Sequence, residues 1–186
     1  PEGPLKREDL KSLEDLFSES RSIEDLTGLE HAINMTTLEL TNNQISDINP
    51  LASLTNLRDL LLGNNEIRDF KPMASLINLT GLDPSGNQIK DISPLASLTD
   101  LTELYLNENQ IKDISPLASL TNLTDIHLTG NQIRDVTPLA SLIDTTELAL
   151  DFNEINDITP LTLLTNLKTL YLEGNPLDRR SIEVHI

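Results

Sequence analysis

A register of 22 residues recurs along almost the whole chain and limits what it can fold into. Aligning Met35, Leu57, Leu79, Leu101 and Leu123 brings every following position into a column. One column reads Leu38, Leu60, Leu82, Leu104, Ile126, Leu148 and Leu170. Two residues on stand Leu40, Leu62, Pro84, Leu106, Leu128, Leu150 and Leu172. Asn follows at 43, 65, 87, 109, 131, 153 and 175, and Ile at 45, 67, 89, 111, 133 and 155. An Asp column runs from Asp25 through Asp47 to Asp157, and Pro closes the unit at 50, 72, 94, 116, 138 and 160. Upstream, Leu13, Leu16, Ile23, Leu26 and Leu29 keep the register as a degenerate first coil. A unit this short cannot bury its own apolar set, so stability has to come from stacking one coil on the next.

Each column has a physical reason. The Leu-x-Leu spacing is the two-residue period of a β-strand, with Leu inward and its neighbours outward. Strands at the same place in successive coils stack in parallel about 4.8 Å apart. Asn both donates and accepts, which suits it to the backbone groups left free where the chain leaves the strand. Ser93-Pro94, Ser115-Pro116, Thr137-Pro138 and Thr159-Pro160 read as a helix cap followed by Pro at the first helical position. The few residues after each Pro suit one helical turn or a 3-10 segment. The predicted fold is α/β: a right-handed leucine-rich-repeat solenoid. Its parallel β-sheet lines the concave face, and short 3-10 or one-turn helices line the convex face.

The unit Leu101 to Asn122, with its Asp113-Ile114-Ser115-Pro116-Leu117 segment, resembles the repeat of bacterial internalin-type proteins. The resemblance covers residues 13–177. Leu5-Lys6-Arg7-Glu8-Asp9-Leu10 resembles the end of a small helical cap, making residues 1–12 a cap remnant. Ile182-Glu183-Val184-His185-Ile186 resembles the first turn of a closing segment, so residues 178–186 read as the start of a C-terminal cap, cut short. The resemblance implies a bacterial cell-surface or secreted, extracellular protein that binds a protein partner. It carries over no ligand-contacting residue. A second relative, the intracellular phosphatase-regulator type of 22-residue repeat, lacks the regular Asp and Pro pair.

Composition narrows the function classes. A formal charge of -17 argues against nucleic acid, whose binders need clustered Lys and Arg. No apolar run approaches the length needed for membrane insertion. There is no Cys, hence no disulfide and no thiol nucleophile. His31, His127 and His185 fall in different coils without metal-ligand or nucleophile spacing, so the chain reads as a non-enzyme with no cofactor and no metal. The Asp column, flanked by Arg68, Lys90, Lys112 and Arg134, reads as turn capping and not as a calcium ladder, which would need six or more converging oxygens. Gly63, Gly86, Gly130 and Gly174 recur before the Asn column as turn residues.

Three positions break the pattern. Pro84 stands where the other coils have Leu and has no N–H for the sheet, making its coil the expected weak point. Thr145 replaces an inward Leu, and Lys71 replaces the capping residue. The outward strand positions carry the functional signal. They include Phe17, Glu39, Leu61, Asp83, Tyr105, His127, Ala149 and Tyr171, flanked by Asp59, Glu103, Asp125 and Glu147, with Phe152 just beyond one strand. Aromatic residues on an open sheet are what an interface uses. The predicted partner-binding residues are therefore Leu61, Tyr105, His127, Phe152, Tyr171, Glu103, Asp125 and Glu147. Their acidic surround suits a protein with a basic surface. The alternative is a structural spacer within a larger surface protein, which should vary evenly around the coil. Here the concave columns vary while Pro-Leu-Ala-Ser-Leu recurs almost verbatim. The oligomeric state stays open.

Overall fold

A computed structural model describes residues 7–178. A four-residue helix, α1 (Arg7–Leu10), leads into eight strands that form one parallel sheet in sequence order. They are β1 (Asp15–Phe17), β2 (Thr37–Glu39), β3 (Asp59–Leu61), β4 (Gly81–Asp83), β5 (Glu103–Tyr105), β6 (Asp125–His127), β7 (Glu147–Ala149) and β8 (Thr169–Tyr171). The register is the repeat itself: Leu38 pairs Leu60, Leu60 pairs Leu82, and so on to Leu148 with Leu170. The degenerate first coil supplies β1, whose Leu16 pairs Leu38. The features expected for residues 1–6 and 179–186, including Ile182–Ile186 and His185, lie outside the described residues.

The inward Leu and Ile columns form one continuous core in which most side chains are fully buried. Each contributes roughly 1.5–3 kcal/mol when removed from water, so the apolar stack is the main source of stability. The Asn column joins the coils. Asn65, buried, donates to the carbonyls of Leu62 and Gly63 in its own coil and of Leu40 in the coil before, while its Oδ1 accepts the Ile45 N–H. The same pattern recurs at Asn87, Asn109, Asn131 and Asn153.

Opposite the sheet, every connecting segment is a 3-10 turn: Leu29–His31, Asn49–Ser53, Lys71–Ser75, Ser93–Ser97, Ser115–Ser119, Thr137–Ser141 and Thr159–Leu163. Their entry corrects the expected cap. Ser93, Ser115, Thr137 and Thr159 are the first residues of the turns, and no side chain caps from the position before them. The acceptor is the Asp two residues upstream. Asp47, Asp69, Asp91, Asp113, Asp135 and Asp157 each take the backbone N–H of the first turn residue through Oδ1, at 2.8–3.1 Å. Lys71 is consequently no defect, because the cap needs only its backbone N–H, which Asp69 accepts at 3.1 Å.

The other two departures are accommodated. Thr145 is fully buried and its hydroxyl donates to the Leu123 carbonyl of the preceding coil at 3.2 Å. At Pro84 the sheet loses a bond. Elsewhere the residue after each strand donates across, as Leu62 does to Asp83 and Leu106 to His127. Pro84 has no N–H, and the β4–β5 pairing stops at Leu82 with Leu104. The orphaned Tyr105 carbonyl instead accepts the Ser85 hydroxyl at 3.2 Å. The turn column is also redefined. Gly86, Gly130 and Gly174 align with Asn42, Asn64, Glu108 and Phe152, and all have positive φ, whereas Gly63 stands one position earlier without it.

Candidate functional site, the concave sheet

With Leu38 and its equivalents pointing into the core, the residues on either side of each project from the open face. One outward column runs Thr37, Asp59, Gly81, Glu103, Asp125, Glu147 and Thr169. The next runs Glu39, Leu61 and Asp83, then Tyr105, His127, Ala149 and Tyr171. Their spacing is fixed by the backbone ladder beneath, so side chains meet their neighbours in the column at the strand separation.

The structure brings five of the eight predicted residues together. The Tyr105 and His127 rings lie with centroids 4.8 Å apart and planes tilted by 54°, a favourable aromatic geometry. The Tyr105 hydroxyl donates to Glu103 Oε2 at 3.4 Å, and His127 Nε2 lies 3.4 Å from Glu147 Oε1. Asp125 stands between Glu103 and Glu147 in the flanking column, and its Oδ2 accepts the Thr124 hydroxyl at 2.7 Å. Partial burial pushes the Tyr105 phenol above its ordinary value, reinforced by the carboxylates of Glu103, Asp125 and Asp83. Negative charge around an aromatic ring thus defines the centre of the face.

The other three stand apart. Leu61, half-buried, is separated from Tyr105 by Asp83 in its column. Tyr171 is exposed on β8, beyond Ala149, whose small side chain is almost fully covered. Phe152 occupies the left-handed turn after β7, and its exposed ring lies over Gly174 of the next coil. The expected strip is therefore a central Tyr105–His127 pair with separate apolar positions at the two ends. Phe70 is the aromatic side chain buried in the core.

Sequence reasoning missed Gly81. It is the gap between Asp59 and the carboxylates of Glu103, Asp125 and Glu147 in its column, and a Cβ there would stand 2.8 Å from Asp59 Oδ1. The signal was available, since among the described residues Gly81 is the only Gly at an outward strand position. Away from the sheet, Arg68, Lys90, Lys112 and Arg134 lie on the segments that climb towards the 3-10 turns. Arg134 there pairs with Glu154 at 2.6 Å. Among the described residues no cluster of three or more His, Asp or Glu is arranged to hold a metal ion. No helix among them is long and apolar enough to cross a membrane.

Comparison with known proteins fits this geometry. The family model for paired leucine-rich repeats matches residues 33–75, 77–119 and 101–141. An internalin C2 of Listeria monocytogenes is 38% identical, with a TM-score of 0.92 over 97% of this chain and 80% of its own. An internalin (inlF) of the same species is 36% identical, with a TM-score of 0.90 over 96% of this chain. The chain spans about half of that protein, 53% of its length. A leucine-rich-repeat protein of Leptospira interrogans, 24% identical with a TM-score of 0.86 over 97% of this chain and 54% of its own, shares the fold. No curated protein sequence matches.

Proposed function

The chain belongs to the bacterial internalin-type leucine-rich-repeat proteins, and from that premise we propose that its concave sheet docks a protein partner at the bacterial surface or after secretion. The observation that carries the reading is the Tyr105–His127 pair. Two rings in tilted contact stand on an open face while the folding core is complete without them. Aromatic anchors on an otherwise polar sheet are the usual source of hot-spot energy in an interface. Leu61, Tyr171 and Phe152 extend the contact to either side, and Glu103, Asp125 and Glu147 frame it. The fold is a scaffold for interaction, and the proposed role requires no catalysis, cofactor or metal. A spacer role would give the exposed aromatic residues nothing to do.

The test is to compare two pairs of substitutions against a partner recovered from host or bacterial surface extracts. Tyr105→Ala with Tyr171→Ala should weaken binding by at least about 2 kcal/mol, with a much smaller change in melting temperature. Lys112→Ala with Arg134→Ala, outside the sheet, should barely matter, since an exposed ion pair such as Arg134–Glu154 is worth little. If the second pair costs more than the first in calorimetric titrations, the partner does not sit on the concave face.

A further inference from the structure

The concave face has an uneven charge pattern. In the outward column Asp59, Gly81, Glu103, Asp125 and Glu147, glycine alone interrupts the carboxylates. Asp83 stands two residues from Gly81 on the same face of β4, and Tyr105 stands beside Asp83 in the second column. The missing side chain at Gly81 therefore leaves a notch into which the Asp59 carboxylate leans, its Oδ1 2.8 Å from where a Cβ would stand, with Glu103 and Asp83 on two further sides and a phenol ring at its corner. Among the described residues the ion pairs join Glu30 with His31, Asp69 with Lys71, Glu147 with His127 and Glu154 with Arg134. None of them neutralises Asp59, Asp83 or Glu103.

We propose that this part of the concave sheet receives a basic segment of a protein partner, with an arginine side chain entering the notch over Gly81 and lying against Tyr105. The proposal rests on the concave docking reading and adds the chemistry of the partner. Charge complementarity carries it. Guanidinium is planar, stacks on aromatic faces and bonds carboxylates through a fork of N–H groups, so it uses both the ring and the acids. A lysine ammonium could use the acids but stacks less well. The sheet's own N–H and C=O groups are taken up by neighbouring strands, which leaves side chains to do the recognising.

A short arginine–serine peptide and its lysine–serine counterpart are suitable probes, titrated into the whole chain by calorimetry at low and physiological salt. Asp83→Asn with Glu103→Gln removes two charges from the notch. The amide introduced by Asp83→Asn keeps an oxygen for the Ser85 N–H that Asp83 now accepts at 2.9 Å, so folding should be preserved. Glu24→Gln with Glu66→Gln removes the same charge from exposed positions outside the sheet. Gly81→Leu fills the notch and turns the Asp59 carboxylate aside while removing no charge from the chain, and the Gly81 backbone is not in the left-handed region that would forbid it. The notch pair and Gly81→Leu should each weaken the arginine peptide at least tenfold, the outer pair by no more than twofold, and the lysine peptide should bind several-fold more weakly. Equal losses from the two pairs, or no loss from Gly81→Leu, would overturn the proposal, because attraction would then be to the acidic chain in general. That failure is distinguishable from failure of the docking reading. The Tyr105 and Tyr171 substitutions are measured against a recovered partner, and a loss there with no notch effect would leave the concave interface standing without its basic chemistry.

Discussion

Asp91 shows what one side chain contributes to each coil. Its carboxylate accepts the Ser93 N–H at 2.8 Å and so closes the turn into Ser93–Ser97. Bonds from the Ser93 backbone and side chain hold its carboxyl below the ordinary aspartate range, as Thr27 does for Asp25 and Thr137 for Asp135. A carboxylate favoured by the fold in this way stabilises above its unfolded pKa, and that stability drains as pH falls through the lower folded value. Asp91→Ala should therefore cost about 0.5–1 kcal/mol at pH 7, the lower part of the range for capping residues because the site is exposed. The cost should shrink as the solution is acidified through the folded-state titration. Asp91→Asn retains an oxygen acceptor and should cost less while flattening the acid dependence. Urea midpoints of the three forms from neutral to strongly acidic pH test this, and an Ala variant with a pH-independent deficit would contradict the capping role. The sequence identified the Asp column as turn capping, as the structure bears out, but also gave Ser or Thr a cap of its own, because a Ser-Pro pair resembles an α-helix start. In a 3-10 turn this short, the donor that takes an acceptor is the N–H of the first turn residue itself, ahead of the Leu95 and Ala96 donors a Ser93 cap would serve.

At the level of the strand, β4 shows how a defect is bridged. Pro84 removes a ladder donor, and the Ser85 hydroxyl takes the stranded Tyr105 carbonyl. Pro84→Leu alone should accordingly stabilise by roughly 1 kcal/mol, since part of the lost bond is already replaced. Ser85→Ala should cost about 1 kcal/mol in the natural chain and almost nothing in the Pro84→Leu background, where a backbone N–H is available. A double-mutant cycle by urea unfolding measures the coupling, and additive effects would show that Ser85 does not act for the missing N–H. Pro84 as the irregular strand was legible from its column. Ser85 was not, because its compensating bond depends on a hydroxyl reaching sideways to the next coil. The same limit applied to Phe152: its column marked a turn, but only the structure shows its ring lying over Gly174.

Across the whole molecule, the inward columns and the Asn ladder were legible because periodicity fixes which side chains face the core. The clustering of Tyr105, His127, Glu103, Asp125 and Glu147 was legible because parallel register puts one position per coil side by side. Separation of Leu61, Tyr171 and Phe152 from that cluster follows from their small or charged neighbours and from a turn conformation that spacing does not encode. The left-handed turn column has a further consequence. From Asn64 onward, long side chains alternate with glycine: Asn64 lies over Gly86, Glu108 over Gly130 and Phe152 over Gly174. Where two side chains do meet, at Asn42 and Asn64, a hydrogen bond of 2.9 Å joins them. This rim makes two coils, not one, the unit that can be excised without conflict. Deleting residues 111–132 preserves every core column but brings Glu108 beside Phe152, whereas deleting residues 89–132 leaves Gly86 next to Phe152 and the alternation intact. The longer deletion removes more stacked core, yet its unfolding should remain a single cooperative transition. The shorter one should show a separate early phase at the join, visible as locally fast hydrogen exchange. If the shorter deletion is as uniformly protected as the longer, the rim does not constrain how such a chain gains or loses coils.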